Sequence, residues 1–204
     1  MLDLRGYLLL AGAAYLIGSI PFALILTAIF RRTDLRSLGT GNLSIYNTAF
    51  NVGKVPAFLA FLCIGAAAYT AVALARAFFP NNDIALMVVL CAATIGSMWQ
   101  LFARLRGSRG SSMAGWVLMF ASPLLWAVML GLWLAFALLV RRTRLATTLL
   151  HISCPAIFGL IERSWVYAAA GLILGIALQI KLRMSTDDTL ALGLFRRYGV
   201  NVDR

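Results

Sequence analysis

Charge is scarce in this chain, and negative charge is scarcest. Only 12% of its 204 residues are charged, against about 25% in an average soluble domain. Seven Asp and Glu stand against 18 Lys and Arg. There is one histidine, His151, and three cysteines, Cys63, Cys91 and Cys154, each inside an apolar run. An odd number of dispersed cysteines excludes a disulfide framework and a cysteine metal cluster. Catalysis by a carboxylate pair, a Ser-His-Asp set or a bound metal lacks its residues. No internal repeat, heptad or low-complexity tract is present. What is abundant is hydrophobicity: 62% of residues, with a mean hydropathy of +0.89. A soluble protein of this size has no core large enough to bury that much apolar surface. The chain is therefore an integral membrane protein. Its net charge of +11 sits in links between apolar runs, which points to membrane orientation and not to nucleic acid.

Uncharged runs cover residues 7–30, 55–75, 84–103, 116–140, 145–161 and 164–180. All are long enough for a membrane helix, which needs roughly 20 residues, and continuous runs exclude a β-barrel. The first run is too long for a signal-peptide core and is expected to be one retained helix. Arginine clusters follow the first run (Arg31, Arg32, Arg36), the third (Arg104, Arg106, Arg109) and the fourth (Arg141, Arg142, Arg144). More basic residues follow the last (Lys181, Arg183, Arg196, Arg197). With the N-terminus outside, six plain crossings leave the later clusters on the wrong side. One extra reversal corrects both, and Ser122-Pro123 supplies it, because a residue before proline is driven out of helical geometry. The expectation is an all-α transmembrane bundle of about seven helices. A short or re-entrant arm, 112–121, precedes a return helix over 124–140. One domain spans 1–184, and a polar cytoplasmic tail spans 185–204. All basic residues except Arg5, Arg76 and Arg163 then lie on the cytoplasmic side, as does the C-terminus.

Two links on that side differ from ordinary loops. The first, from Asp34 to Asn47 and on to Gly53-Lys54, is rich in small polar residues. Gly39 and Gly41 permit tight turns, and Thr40, Asn42, Ser44 and Asn47 offer hydrogen bonds to a polar ligand. As a bland alternative, it is a solvated connector. The second, Arg104-Leu-Arg-Gly-Ser-Arg-Gly-Ser-Ser112, joins guanidinium groups and a glycine-rich turn to a helix start, a combination that holds phosphate. Its alternative role is a topology-setting basic link that meets anionic lipid headgroups. His151, among apolar neighbours, is either a catalytic candidate or a neutral partner for an adjacent helix.

These segments resemble the bacterial membrane glycerol-3-phosphate acyltransferases of the PlsY type. Tyr15-Leu-Ile-Gly-Ser-Ile-Pro-Phe22 is similar to the family's first-helix motif. Asp34-Leu-Arg36, Gly39-Thr-Gly-Asn42, Asn47 and Gly53-Lys54 resemble its first cytoplasmic motif. Gly96, Arg106-Gly-Ser-Arg-Gly110 and Ala121-Ser-Pro123 resemble the second motif and the segment after it. Arg144 with Thr147-Thr148 falls where a third would be. Thr40 replaces a serine, Phe50 an arginine, Ser97 a histidine, Ser108 a glycine, and Arg106 and Arg109 two lysines. The C-terminal His-x-x-Asn has no counterpart in Gln179-Ile-Lys-Leu-Arg183.

The resemblance implies seven helices and an enzyme of phospholipid biosynthesis in the bacterial inner membrane. Such an enzyme moves an acyl chain from acyl phosphate to glycerol 3-phosphate, giving lysophosphatidic acid, with no metal or cofactor. Arg106, Arg109 and Thr40 become the catalytic candidates. Gly41, Asn42, Asn47, Lys54, Gly107, Ser108, Gly110, Ser111 and Ser112 become the substrate-binding ones, while membrane lipids surround the bundle. The departures keep a second class open, an inactive lipid- or phosphate-binding subunit of the same fold. A transporter is a weaker third, since transporters show repeats or paired broken helices and this chain offers one expected break.

Overall fold

The computed structural model describes residues 4–140 and 143–185, and among these all regular structure is helical, without strands. The elements are α1 (Leu4–Gly18), α2 (Phe22–Arg31), α3 (Ile45–Asn51), α4 (Lys54–Phe78), α5 (Asp83–Met98), α6 (Ser111–Ala121), α7 (Pro123–Val140), α8 (Thr143–Glu162) and α9 (Trp165–Met184). Six spans of 18–28 residues are long and apolar enough to cross a membrane, with α1 and α2 together making the first. Their outer faces are greasy: Leu9 is 76% exposed and Leu160 77%, as lipid-facing side chains should be. The expected tail lies outside the described residues apart from Ser185, as do Arg141 and Arg142.

The expected break stands at Ser122-Pro123. α6 has 11 residues, about 16 Å of helix, roughly half a bilayer core. Its C-terminal end is satisfied by protein, as it must be at membrane depth. Arg76 at the end of α4 donates to the Phe120 carbonyl (2.8 Å). The Ser122 hydroxyl donates to the Glu162 carboxylate and accepts from the Leu125 amide (3.3 Å), capping α7.

The first run is not one continuous helix, contrary to expectation. Residues 19–21 interrupt it because Pro21 has no N–H to donate and takes a non-helical conformation (φ −86°, ψ 65°). The interruption coincides with the tightest helix crossing. A Cβ at Gly18 would lie 2.1 Å from the Ala93 carbonyl oxygen, and one at Gly96 would lie 2.3 Å from that of Tyr15. Glycine is thus required on both α1 and α5. The Tyr15 hydroxyl adds a bond to the Trp99 carbonyl (2.8 Å). The other unforeseen element is α3, nucleated inside the first polar link by Ser44, whose hydroxyl accepts from the Asn47 amide (3.0 Å) as a helix cap.

Candidate active site

The links 32–54 and 99–111 meet at the end of the bundle where α2, α5, α7 and α9 finish and α4, α6 and α8 begin. The second link folds back along α5. The Ser108 amide donates to the Ser97 carbonyl (3.0 Å), and a Cβ at Gly107 would lie 2.4 Å from the same oxygen. Gly110 then turns with φ +84° against Thr94 and Met98, about one helical turn below the end of α5. α6 therefore starts inside the bundle, and its N-cap glycine has no side chain to satisfy the first amides. Those amides carry the partial positive charge of a helix N-terminus.

A cavity of about 320 Å³ opens beneath this point. Its polar end is formed by Ser44, Ser108, Arg109, Gly110, Ser111, Ser112 and Arg144. Its interior is formed by Ile64, Leu118, Trp126, Met129, Trp133 and Leu174 among others. No carboxylate is among the described residues that line it. Two guanidinium groups and the N-terminus of α6 therefore line one space, a combination of groups suited to an anion. The apolar remainder suits a hydrocarbon chain.

The first link is built differently. Asn47 is 3% exposed, and its amide donates to the carbonyls of Leu38 (3.0 Å) and Asn42 (2.9 Å). Its side-chain oxygen accepts from Asn51 (2.8 Å) and from the Thr40 amide (3.4 Å). The Thr40 hydroxyl accepts from the Asn42 amide (3.5 Å). Gly39 (φ +55°) and Gly41 (φ +71°) make the turns. Of the expected site residues, Ser108, Arg109, Gly110, Ser111 and Ser112 line the cavity; Thr40, Gly41, Asn42, Asn47 and Lys54 do not. Gly107 packs behind it. Arg106 lies in a separate outer basin with Asp34, Arg36, Ser37 and Arg104. There Arg36 grips the Asp34 carboxylate (Nη2 to Oδ2, 2.6 Å). That hydrogen bond, with the Arg36 amide and the charge of Arg106, holds the Asp34 carboxyl below the usual carboxylate range.

A family model described as glycerol-3-phosphate acyltransferase matches residues 8–190. The chain belongs to this family. A glycerol-3-phosphate acyltransferase from Cupriavidus pinatubonensis is 32% identical over 181 residues, covering 87% of this chain and 90% of its own. One from Janthinobacterium sp. (strain Marseille) is 33% identical over 188 residues, covering 90% and 92%. Two crystal forms of PlsY (YgiH), an integral membrane glycerol 3-phosphate acyltransferase, share the fold. The glycerol 3-phosphate form superposes with a TM-score of 0.75 at 22% identity, covering 97% of this chain and 96% of that one. The lysophosphatidic acid form gives 0.73, covering 87% and 88%.

The departures from the family pattern have definite places. Ser97, where the family has histidine, is buried; its hydroxyl donates to the Thr94 carbonyl (2.8 Å) while its own carbonyl anchors Ser108. Phe50, where the family has arginine, is 51% exposed on α3 and outside the cavity lining. Arg144, which the sequence put where a third motif would be without assigning it to the site, also lines the cavity. Its signal was position, a basic residue heading an apolar run. His151 is 6% exposed and hydrogen-bonds Gln179 on α9 (3.2 Å), the helix-partner role of the two considered.

Proposed function

We propose that this protein transfers an acyl chain from acyl phosphate to the hydroxyl of glycerol 3-phosphate at the cavity described above. One observation carries the reading. Arg109, Arg144 and the uncapped start of α6 converge at the polar end of a cavity whose interior is apolar. That arrangement holds a phosphate beside an acyl carbonyl with its chain in the bundle. The acceptor oxygen forms a bond to the acyl carbon, and the acyl–phosphate C–O bond breaks. The products are lysophosphatidic acid and inorganic phosphate, and phosphate takes up the hydroxyl proton. The guanidinium groups and helix amides stabilise the charge that builds on the carbonyl and the leaving phosphate. Ser111 and Ser112 orient the reactants.

The catalytic unit is the single domain 1–184. Its N-terminus lies outside and its C-terminus in the cytoplasm of a bacterial inner membrane. The basic residues support this orientation: those of the 32–54 and 99–111 links, Arg144, Lys181 and Arg183 are at the cavity end, with Arg5, Arg76 and Arg163 at the other. The test is turnover of acyl phosphate and glycerol 3-phosphate by the purified protein in nanodiscs. Release of phosphate together with lysophosphatidic acid is expected. Saturable glycerol 3-phosphate binding without release of either product would overturn the reaction and leave the inactive-subunit class.

A further inference from the structure

The His151–Gln179 pair is a wall with a different space on each side. His151 lines the reaction cavity, and both residues also line a second pocket of about 390 Å³ between α8 and α9. That pocket faces the membrane: Ile152 is 67% exposed, Ile176 54% and Ile180 48%. Its polar end carries Arg183, and no carboxylate is among the described residues lining it. From Leu172 to Arg183 it runs along twelve residues of α9, about 16 Å. An extended hydrocarbon advancing about 1.3 Å per carbon would fit roughly a dozen carbons there.

The two helices pack tightly beside this pair. Further toward the other face they are locked together: a Cβ at Gly171 would lie 2.8 Å from the Cys154 carbonyl oxygen, and one at Gly175 would lie 2.4 Å from that of His151. Pro155 stands inside α8 and cannot donate to the carbonyl four residues back, which is His151. The helix is therefore weakest where the wall stands. Toward the cavity end, two side-chain hydrogen bonds join the helices. His151 meets Gln179 (3.2 Å) and the Gln179 amide donates to the Thr148 hydroxyl (3.4 Å).

We infer that the α8–α9 groove is a binding site for a single-chain anionic phospholipid, with its headgroup at Arg183. Lysophosphatidic acid occupies it on the way from the cavity to the bilayer, past the His151–Gln179 pair. The assignment rests on the reaction proposed above. Two features identify the occupant: the cation at the polar end, and a wall shared with the cavity in which that lipid is made.

The probe is lysophosphatidic acid carrying a diazirine near the chain end, photolysed with the full-length protein in nanodiscs and mapped by peptide mass spectrometry. Labelling is expected at Ile152 and Ile176. Unlabelled lysophosphatidic acid should compete, and zwitterionic lysophosphatidylcholine should not. Arg183→Gln, an exposed change that leaves packing intact, should cut groove labelling about tenfold, and Ile176→Trp should block it. Label confined to cavity residues such as Leu118 overturns the site. So does equal competition by the zwitterionic lipid, or labelling that ignores Arg183→Gln. Full acyl transfer without groove labelling removes the groove alone; groove labelling without acyl transfer removes the reaction alone.

Discussion

The two glycine-rich links look alike as sequence and do opposite things as structure. In the link 38–53, one buried asparagine, Asn47, satisfies groups on Leu38, Thr40, Asn42 and Asn51. Its polar groups are turned on one another. In the link 104–112 the Ser97 carbonyl accepts from the Ser108 amide and hydroxyl, and the Ser108 hydroxyl accepts from the Gly110 amide. Beyond it Arg109, Ser111, Ser112 and the first amides of α6 face the cavity. A phosphate can reach donors arranged around a space, and cannot reach donors folded inward on one another. The difference teaches that similar composition can build a link folded on itself or a link that opens onto a cavity.

The comparison breaks or holds most sharply on two arginines three residues apart. Arg109→Ala should lower kcat/KM for acyl transfer by about 10²–10³-fold, the usual effect of losing one preorganised charge-stabilising group. Arg106→Ala should lower it less than about tenfold. Equal losses would erase the distinction between cavity and outer basin. Next in size is Asn47→Leu, which strips partners from a buried loop. It should cost about 2–3 kcal/mol and lower the melting temperature by roughly 5–10 °C, with any activity loss recovered on cooling. A variant that melts normally but fails to bind glycerol 3-phosphate would make Asn47 a ligand residue after all. Gly110→Ala forces a side chain into φ +84° and within 2.7 Å of the Met98 methyl. A destabilisation of about 1–2 kcal/mol, with roughly tenfold slower turnover, is expected as α6 shifts.

Much of the architecture was legible because the membrane imposes it. Apolar runs and basic links located the spans; charge balance required one more reversal, and the proline placed it at Ser122-Pro123. The break at Pro21 escaped because it does not reverse the chain, so no charge is misplaced by it. α3 escaped because a seven-residue helix leaves hardly any periodicity. Within the site, Ser108 to Ser112 were legible as chemistry. The split between Arg106 and Arg109 was not, because it depends on Gly107 lying against the α5 carbonyls, a contact distant in sequence. Phe50 shows the converse. As sequence it is a missing cation; as structure it is exposed on α3 while Arg144 lines the cavity. Phe50→Arg should therefore change turnover by less than about threefold in the same assay.

The smallest effect belongs to Asp34, and its sign is fixed by the arrangement around it. The Arg36 side chain, the Arg36 amide and then the charge of Arg106 all favour the ionised carboxyl, so its folded value lies below the unfolded 3.8. A depressed carboxylate stabilises the fold fully above the unfolded value and loses that stabilisation as pH falls through the folded one. The pair is half exposed, with side-chain exposures of 25% for Arg36 and 43% for Asp34, so solvent screens it. Asp34→Asn should lower the melting temperature at pH 7 by about 2 °C at most. Its melting curve should also decline less steeply than the parent's between about pH 5 and 3. Turnover at neutral pH should stay the same, since Asp34 is in the outer basin and not in the cavity. A large loss of turnover with an unchanged melting curve would place that basin, and Arg106 with it, back in the chemistry.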